Sequence, residues 1–440
     1  MALDVKAGTF ASGTSTSTVS VTGVGFRPKA LFVFGNELAT GTEADALLTM
    51  GVAVSRWESH QVGGLTPDPS VVENQSCVTM FAIDGEGTSD TRRGVDDGKI
   101  IRTQIISLGS PGNRETATVN SFDADGFTVQ FTVASSGAET YHYLALGGDD
   151  ITGTHLEDMS SPTSTGSVTV ETGFRPSCLL AIGAGKPSDG FANTSNSSIG
   201  FATGTSTDQN MVAAVYSRDN QGTSSTSKYM RSSHLAALVN ASNDFELGEL
   251  SHLNEGGYSV NFSTAYSTAY LWPILAIGGI SCKIVTGTAP ASTGSSSYTG
   301  AGFRPEAAVF LSTGKTSGTG ISSSNQICIG AATGPSERFC IGIRDTSGAG
   351  TSEADKSAAA DQVLTSTAIS YEADLTSFDV DGFTLNWTGV SGSSEEFTTL
   401  LIGSAATPVE GGQWAKQDSA GARSRYMPGK MRTSANLRGP

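Results

Sequence analysis

Gly-Phe-Arg-Pro occurs three times, at Gly25–Pro28, Gly173–Pro176 and Gly302–Pro305, and each copy runs into an apolar segment: Ala30–Gly35, Cys178–Gly183 and Ala307–Leu311. A second signature follows in each interval, at Gly126–Phe131, Gly257–Phe262 and Gly382–Trp387. A third ends each interval, at Tyr143–Gly148, Ile274–Gly279 and Leu400–Ser404. A weaker central match reads Met50-Gly-Val-Ala, Ile199-Gly-Phe-Ala and Ile329-Gly-Ala-Ala. Four landmarks in one order, three times over, mean a repeated unit. The units are 1–148, 149–279 and 280–404, followed by a tail, 405–440.

The residues within the landmarks indicate strands. In Gly126-Phe-Thr-Val-Gln-Phe131 apolar and polar side chains alternate, the period of a half-buried strand. The run after each Gly-Phe-Arg-Pro and the closing landmark are continuously apolar, as expected of strands buried on both faces. Pro after Arg suits a strand entry, where its missing N–H does no harm. Gly numbers 54 and charged residues make up only 15% of the 440, so turns are plentiful and a disordered, highly charged chain is excluded. No sustained helical stripe occurs. The expectation is an all-β chain of three tandem antiparallel β-sandwich repeats, jelly-roll-like, with an irregular C-terminal tail.

These motifs together, with Ser121-Phe-Asp-Ala-Asp-Gly-Phe-Thr128 and Ser377-Phe-Asp-Val-Asp-Gly-Phe-Thr384, resemble a repeat unit of tailed-bacteriophage virion proteins. The resemblance spans residues 1–404; the second unit departs from it with Asn254-Glu-Gly-Gly257 in place of Asp-x-Asp-Gly. It implies a non-enzymatic structural part of a virion, such as a head decoration protein or a tail or fibre component. It also implies partners among other virion proteins, made in a host cytoplasm. A homo-oligomer is expected.

Other chemistries find little support in the residues. Asp123-x-Asp125-Gly126 and Asp379-x-Asp381-Gly382 echo half of a calcium loop without its remaining ligands, and Asp-Gly before a strand is a hairpin turn. The five histidines (His60, His142, His155, His234, His252) show no zinc spacing, and no phosphate-cradling loop occurs. No metal, cofactor or catalytic residue is therefore assigned. The acidic pairs Glu157-Asp158, Asp96-Asp97 and Glu395-Glu396 read as solvated loops rather than glycosidase acids. Arg27, Arg175 and Arg304 recur at one point of each unit and read as guanidinium groups fixing a turn by bonding nearby carbonyls. Cys77, Cys178, Cys282, Cys328 and Cys340 form no disulfide framework; Cys328 and Cys340 face each other across two strands or stay buried free thiols. The sequence shows no Sec-type leader, and no apolar run reaches the ~18 residues that cross a bilayer.

Charge divides the chain. The net charge is −16, but residues 411–440 carry six cations and one acid, Asp418, leaving −21 for residues 1–410. An acidic body is a poor partner for nucleic acid. The tail mixes Trp414 and Tyr426 with Lys416, Arg423, Arg425, Lys430, Arg432 and Arg438, the combination expected of a segment that docks on another protein. The leading expectation is an exterior capsid decoration protein docked through this tail. The alternatives are a tail fibre or adaptor, or a protein that grips host glycan through exposed aromatics such as Trp57 and Tyr266. A glycan hydrolase lacks a convincing acid pair.

Overall fold

Apolar alternation sets the first unit's strands in the computed structural model, which describes residues 2–56, 67–107, 110–204, 209–240, 244–316, 320–365 and 371–405. They are β1 (Leu3–Ala11), β2 (Thr18–Thr22), β3 (Ala30–Glu37), β4 (Gly41–Ala44), β5 (Ala46–Arg56), β6 (Asp68–Ala82), β7 (Thr91–Asp97), β8 (Ile101–Ser107), β9 (Ser110–Asp123), β10 (Gly126–Val133) and β11 (Thr140–Gly148). The second unit contributes β12 (Gly153–Ser160), β13 (Gly166–Glu171), β14 (Cys178–Gly183), β15 (Gly190–Asn193), β16 (Ser195–Thr203), β17 (Asn210–Ser217), β18 (Thr226–Arg231), β19 (Ala236–Val239), β20 (Asp244–Asn254), β21 (Gly257–Thr264) and β22 (Leu271–Gly278). The third contributes β23 (Ser281–Thr288), β24 (Gly294–Thr299), β25 (Ala307–Ser312), β26 (Ser322–Ser323), β27 (Asn325–Gly334), β28 (Glu337–Asp345), β29 (Ala354–Ala359), β30 (Glu372–Asp379), β31 (Gly382–Gly389) and β32 (Glu396–Gly403).

Each unit is a two-sheet antiparallel sandwich. The small sheets run β2-β10-β9-β8, β13-β21-β20-β19 and β24-β31-β30. The large sheets run β1-β11-β3-β5-β6-β7, β12-β22-β14-β16-β17-β18 and β23-β32-β25-β27-β28-β29, the same order each time. First and last strands nest as in a jelly roll, β1 on β11 and β2 on β10. Inside that frame the chain meanders through neighbouring strands.

The units do not sit in line as separate sandwiches. Each large sheet has a seventh strand that belongs to another unit: β15 pairs with β7, β26 with β18, and β4 with β29. The second unit donates to the first, the third to the second and the first to the third, so the chain closes into a pseudo-threefold ring. Residues 1–406 accordingly form one compact unit rather than three. Each donated strand meets its own unit's next strand at one residue with a left-handed backbone: Asp45 (φ 67), Thr194 (φ 69) and Ser324 (φ 65). There the chain turns from one sheet into the next. The amide of each bend residue donates to the first residue of the neighbour's edge strand, to Ala354 (3.0 Å), Thr91 (2.9 Å) and Thr226 (3.2 Å). The positive φ is unfavourable for residues with a Cβ, and closure of the ring holds it.

The continuously apolar strands follow from this closure. In β3, Leu31 and Val33 face the first unit's small sheet, while Phe32 and Phe34 face the pseudo-threefold axis. Leu179 and Ala181 against Leu180 and Ile182, and Ala308 and Phe310 against Val309 and Leu311, repeat the division. The axial core therefore draws on all three units; Phe34 meets Phe339 at 6.0 Å and His142 stacks on Phe339 at 4.7 Å. One end of the axis is capped by three hairpin connections bonded in a cycle. Gly85 donates to Ser352, Asn220 to Ser89, and Gly348 to Ser224.

The sequence landmarks are halves of shared contacts. The ring of Phe26 covers Gly147, Phe174 covers Gly278 and Phe303 covers Gly403, leaving no room for a Cβ at these glycines. Gly51, Gly200 and Gly330, the central landmark, each lie under a backbone carbonyl, of Ile100, Leu235 and Val363. A side chain there would overlap backbone that cannot move aside.

Candidate functional site

The eight tail residues singled out from the sequence, Trp414, Lys416, Arg423, Arg425, Tyr426, Lys430, Arg432 and Arg438, lie outside the described residues, as does Trp57. Tyr266 is exposed and stacks on Tyr270 at 5.8 Å between ring centroids.

The Asp-x-Asp-Gly segments are the β9–β10 and β30–β31 turns. Asp125 accepts the amides of Gly23 (3.0 Å) and Gly25 (2.6 Å), and Asp381 those of Gly300 (3.2 Å) and Gly302 (2.5 Å). These bonds hold the Asp125 carboxyl below the ordinary carboxylate range. Asp123 and Asp379 are occupied by neighbouring hydroxyls, Ser121 and Thr128 in one turn, Ser377 and Thr384 in the other. In the second unit the Gly256 carbonyl accepts from Thr172 (2.7 Å) and Gly173 (3.0 Å), so a backbone oxygen takes over. Both carboxylates of each turn are thus spent on the fold. Among the described residues there is no group of three or more His, Cys, Asp or Glu placed to hold a metal ion.

Of the recurring arginines, Arg175 meets the exposed Glu255 at 3.8 Å. The turn they occupy is fixed by the neighbouring Phe, by Pro28, Pro176 and Pro305, which are buried, and by backbone. A correction concerns the acidic pairs. Asp96 and Asp97 end β7, Glu157 and Asp158 lie in β12, and Glu396 begins β32 beside a buried Glu395. They sit in or beside strands rather than in loops: Asp97 and Glu157 are exposed, Asp96, Asp158 and Glu396 half-buried and Glu395 buried, and β7 and β12 lie where the first and second units meet. Cys328 and Cys340 are buried free thiols on adjacent strands.

The three seams are equivalent in backbone and different in charge. Where the third unit meets the first, the nearly buried Lys356 lies 3.4 Å from Glu37 and 3.7 Å from Glu43, and Arg114 lies 3.2 Å from Glu37. Burial raises the Glu37 carboxyl, against the pull of Lys356 and Arg114. An open cleft on this seam is lined by Glu43, Asp84, Glu353, Asp355 and Arg344, with Arg344 paired to Asp355 at 2.6 Å. Where the first unit meets the second, Asp158 is lifted to about 7 by burial and by Asp97 beside it. Where the second meets the third, Asn325 donates to Ser217 (3.0 Å), and burial lifts Asp345, next to the same hydroxyl, to about 7.

A buried polar site also recurs inside each sandwich. In the first unit Tyr141 donates its hydroxyl to Glu115 across Gly35. In the second, Trp272 Nε1 donates to Glu246 (2.8 Å) across Gly183, and Ser161 donates to the same carboxylate (3.1 Å). Glu246 is fully buried and desolvation lifts it to about 7. In the third unit Tyr371 takes the acid's place and donates to Ser312 (3.0 Å). Glu115, Glu246 and Tyr371 each stand eleven residues before the glycine that opens the second landmark, Gly126, Gly257 and Gly382, so the repeat spacing marks them as equivalent although their identities differ.

No family model matches the chain, and no curated protein does. Among solved structures, the fructofuranosidase from Schwanniomyces occidentalis complexed with fructose aligns at 8% identity with a TM-score of 0.10, over 88% of this chain and 100% of that one. That likeness is too weak to carry an argument.

Proposed function

We propose that the chain is a structural component of a tailed-phage virion, an exterior decoration protein whose closed ring is carried on the particle by its basic C-terminal segment. The observation that carries the reading is the ring itself. Three copies of one sandwich exchange edge strands and bury a common core, which suits a rigid scaffold. The buried titratable groups described above, among them Glu37, Glu115 and Glu246, are committed to seams and buried bonds. Opposite charge on body and tail supports docking through residues 411–440, with Trp414 and Tyr426 as anchors among the cations. The partner is another virion protein, not nucleic acid or membrane.

Particles lacking the protein, incubated with the full chain or with residues 1–410, test this by sedimentation. The full chain should pellet with the particles and the shortened one should stay in the supernatant. Antibody against the ring, viewed by electron microscopy, would separate head from tail; labelling confined to the tail tip would replace decoration with a fibre or adaptor role. The exposed ring of Tyr266, backed by the buried Tyr270, favours a second reading, a grip on host glycan, since a sugar ring packs on an aromatic face. A glycan array with Tyr266→Ala as control decides it.

A further inference from the structure

The three seams share one strand register about the bend residues Asp45, Thr194 and Ser324, so a residue in one shows what belongs in the same place in another. Glu37, Gly185 and Gly314 each stand twelve residues after the first glycine of Gly-Phe-Arg-Pro, and all three are left-handed, at φ 71, 63 and 61. Facing them from the neighbouring unit's edge strand are Lys356, Arg93 and Lys228. Each of these pairs with the residue two before the bend, with Glu43, Ala192 and Ser322 respectively. In the seam between the third and first units the cation is answered by the chain's own carboxylate, Glu37.

In the seam between the first and second units it is not. Glycine replaces Glu37, and Lys186 follows it, adding a second cation that is nine-tenths buried. Arg93 gives one nitrogen to the Thr194 carbonyl (2.9 Å) and Lys186 donates to that of Phe191 (3.3 Å). Arg93 Nε is buried and has no hydrogen-bond partner among the described residues. A Cβ on Gly185 would lie 4.0 Å from that Nε, with only the Leu238 methyl groups nearer, at 3.3 and 3.5 Å. Asp189, the acid nearest Lys186 in influence, is exposed, accepts the Asp97 amide (3.0 Å), and makes no ion pair with either cation among the described residues. Arg93 is half-buried as a residue and Lys186 nine-tenths buried, and two like charges drawn out of water together are costly unless an opposite charge joins them.

We infer that this seam binds one small oxyanion above Gly185, held by Arg93 Nε and Lys186 in the place that the Glu37 carboxylate fills in the equivalent seam. The planar guanidinium presents a donor edge suited to a carboxylate or phosphate oxygen, and the ammonium supplies the second charge. The anion joins the first and second units, so its binding stabilises the ring.

Thermal unfolding of the full chain is the test, in chloride and with low-millimolar phosphate, sulfate or acetate at matched ionic strength. Such concentrations keep general salting effects small. A saturable rise in Tm on the order of 1–2 °C is expected for a chain of this size, larger with phosphate and sulfate if the site is tetrahedral and with acetate if it is planar. Gly185→Glu, which restores the arrangement of the other seam at the backbone cost that Glu37 already bears at φ 71, should remove the response. Arg93→Gln should also remove it, and Lys186→Met serves if that variant fails to fold. A wild-type response no larger than that of the Arg93 or Lys186 variants overturns the inference, and so does a Gly185→Glu protein that still responds.

Discussion

Replacing Glu246 by Gln should change how the fold responds to pH more than whether it folds. The carboxyl is fully buried, receives Trp272 Nε1 at 2.8 Å and Ser161 at 3.1 Å, and titrates at about 7 in the fold against an ordinary value of 4.5. A raised acid binds its proton more tightly in the folded state. Its contribution is therefore complete below about pH 4.5 and is lost as pH climbs to about 7. Each pH unit within that window removes about 1.4 kcal/mol, so the whole window is worth about 3 kcal/mol. Gln keeps an oxygen for Trp272 and puts an amide opposite Ser161, but has no proton to lose. Urea unfolding followed by tryptophan fluorescence at pH 5, 6, 7 and 8 measures the difference, since Trp272 and Trp387 are both buried. The variant should gain on wild type steadily, reaching about 3 kcal/mol of relative stability by pH 8. Asp158 and Asp345, also lifted to about 7, leave a residual slope in both proteins. A stability difference that stays flat from pH 5 to 8 would refute the reasoning.

Three further outcomes follow from the packing. Gly200→Ala sets a methyl against the Leu235 carbonyl and should cost about 3 kcal/mol or more by chemical denaturation, whereas Gly222→Ala, with open space around it, should be near neutral. Lys356→Met leaves the buried Glu37 with the half-exposed Arg114 as its remaining cation and should destabilise by about 2 kcal/mol, while adding Glu37→Gln should recover most of the loss. Residues 149–279 expressed alone should aggregate or remain unfolded by circular dichroism, because Leu180, Ile182, Ile199, Phe201 and Ile277 bury themselves only against the other units; a soluble monomeric unit would show the ring to be dispensable.

Repetition and strand pattern were legible because they depend on local periodicity. Phe127, Val129 and Phe131 alternate with Thr128 and Gln130 in sequence, and that alternation is what one buried face requires. The uninterrupted run Ala30–Phe34 likewise announced a strand covered on both sides. What it could not announce was the nature of the second cover, which is the other two units and not another layer of its own sandwich. The donated strands Gly41–Ala44, Gly190–Asn193 and Ser322–Ser323 share little beyond a glycine four residues before each bend, Gly41, Gly190 and Gly320. They are strands because a neighbour's edge lies beside them, and hydrogen bonding to an edge needs backbone only. The same closure turned Asp158, which looks like a loop acid in a Ser- and Gly-rich chain, into a half-buried group at a seam. It also separated three equivalent positions into Glu37, Gly185 and Gly314, whose different chemistry has meaning only once the ring brings Lys356, Arg93 and Lys228 opposite them. Local sequence determines which segments are strands and which face is apolar. Burial, proton affinity and charge balance depend on what lies across a contact between distant residues, and only the tertiary structure supplies that.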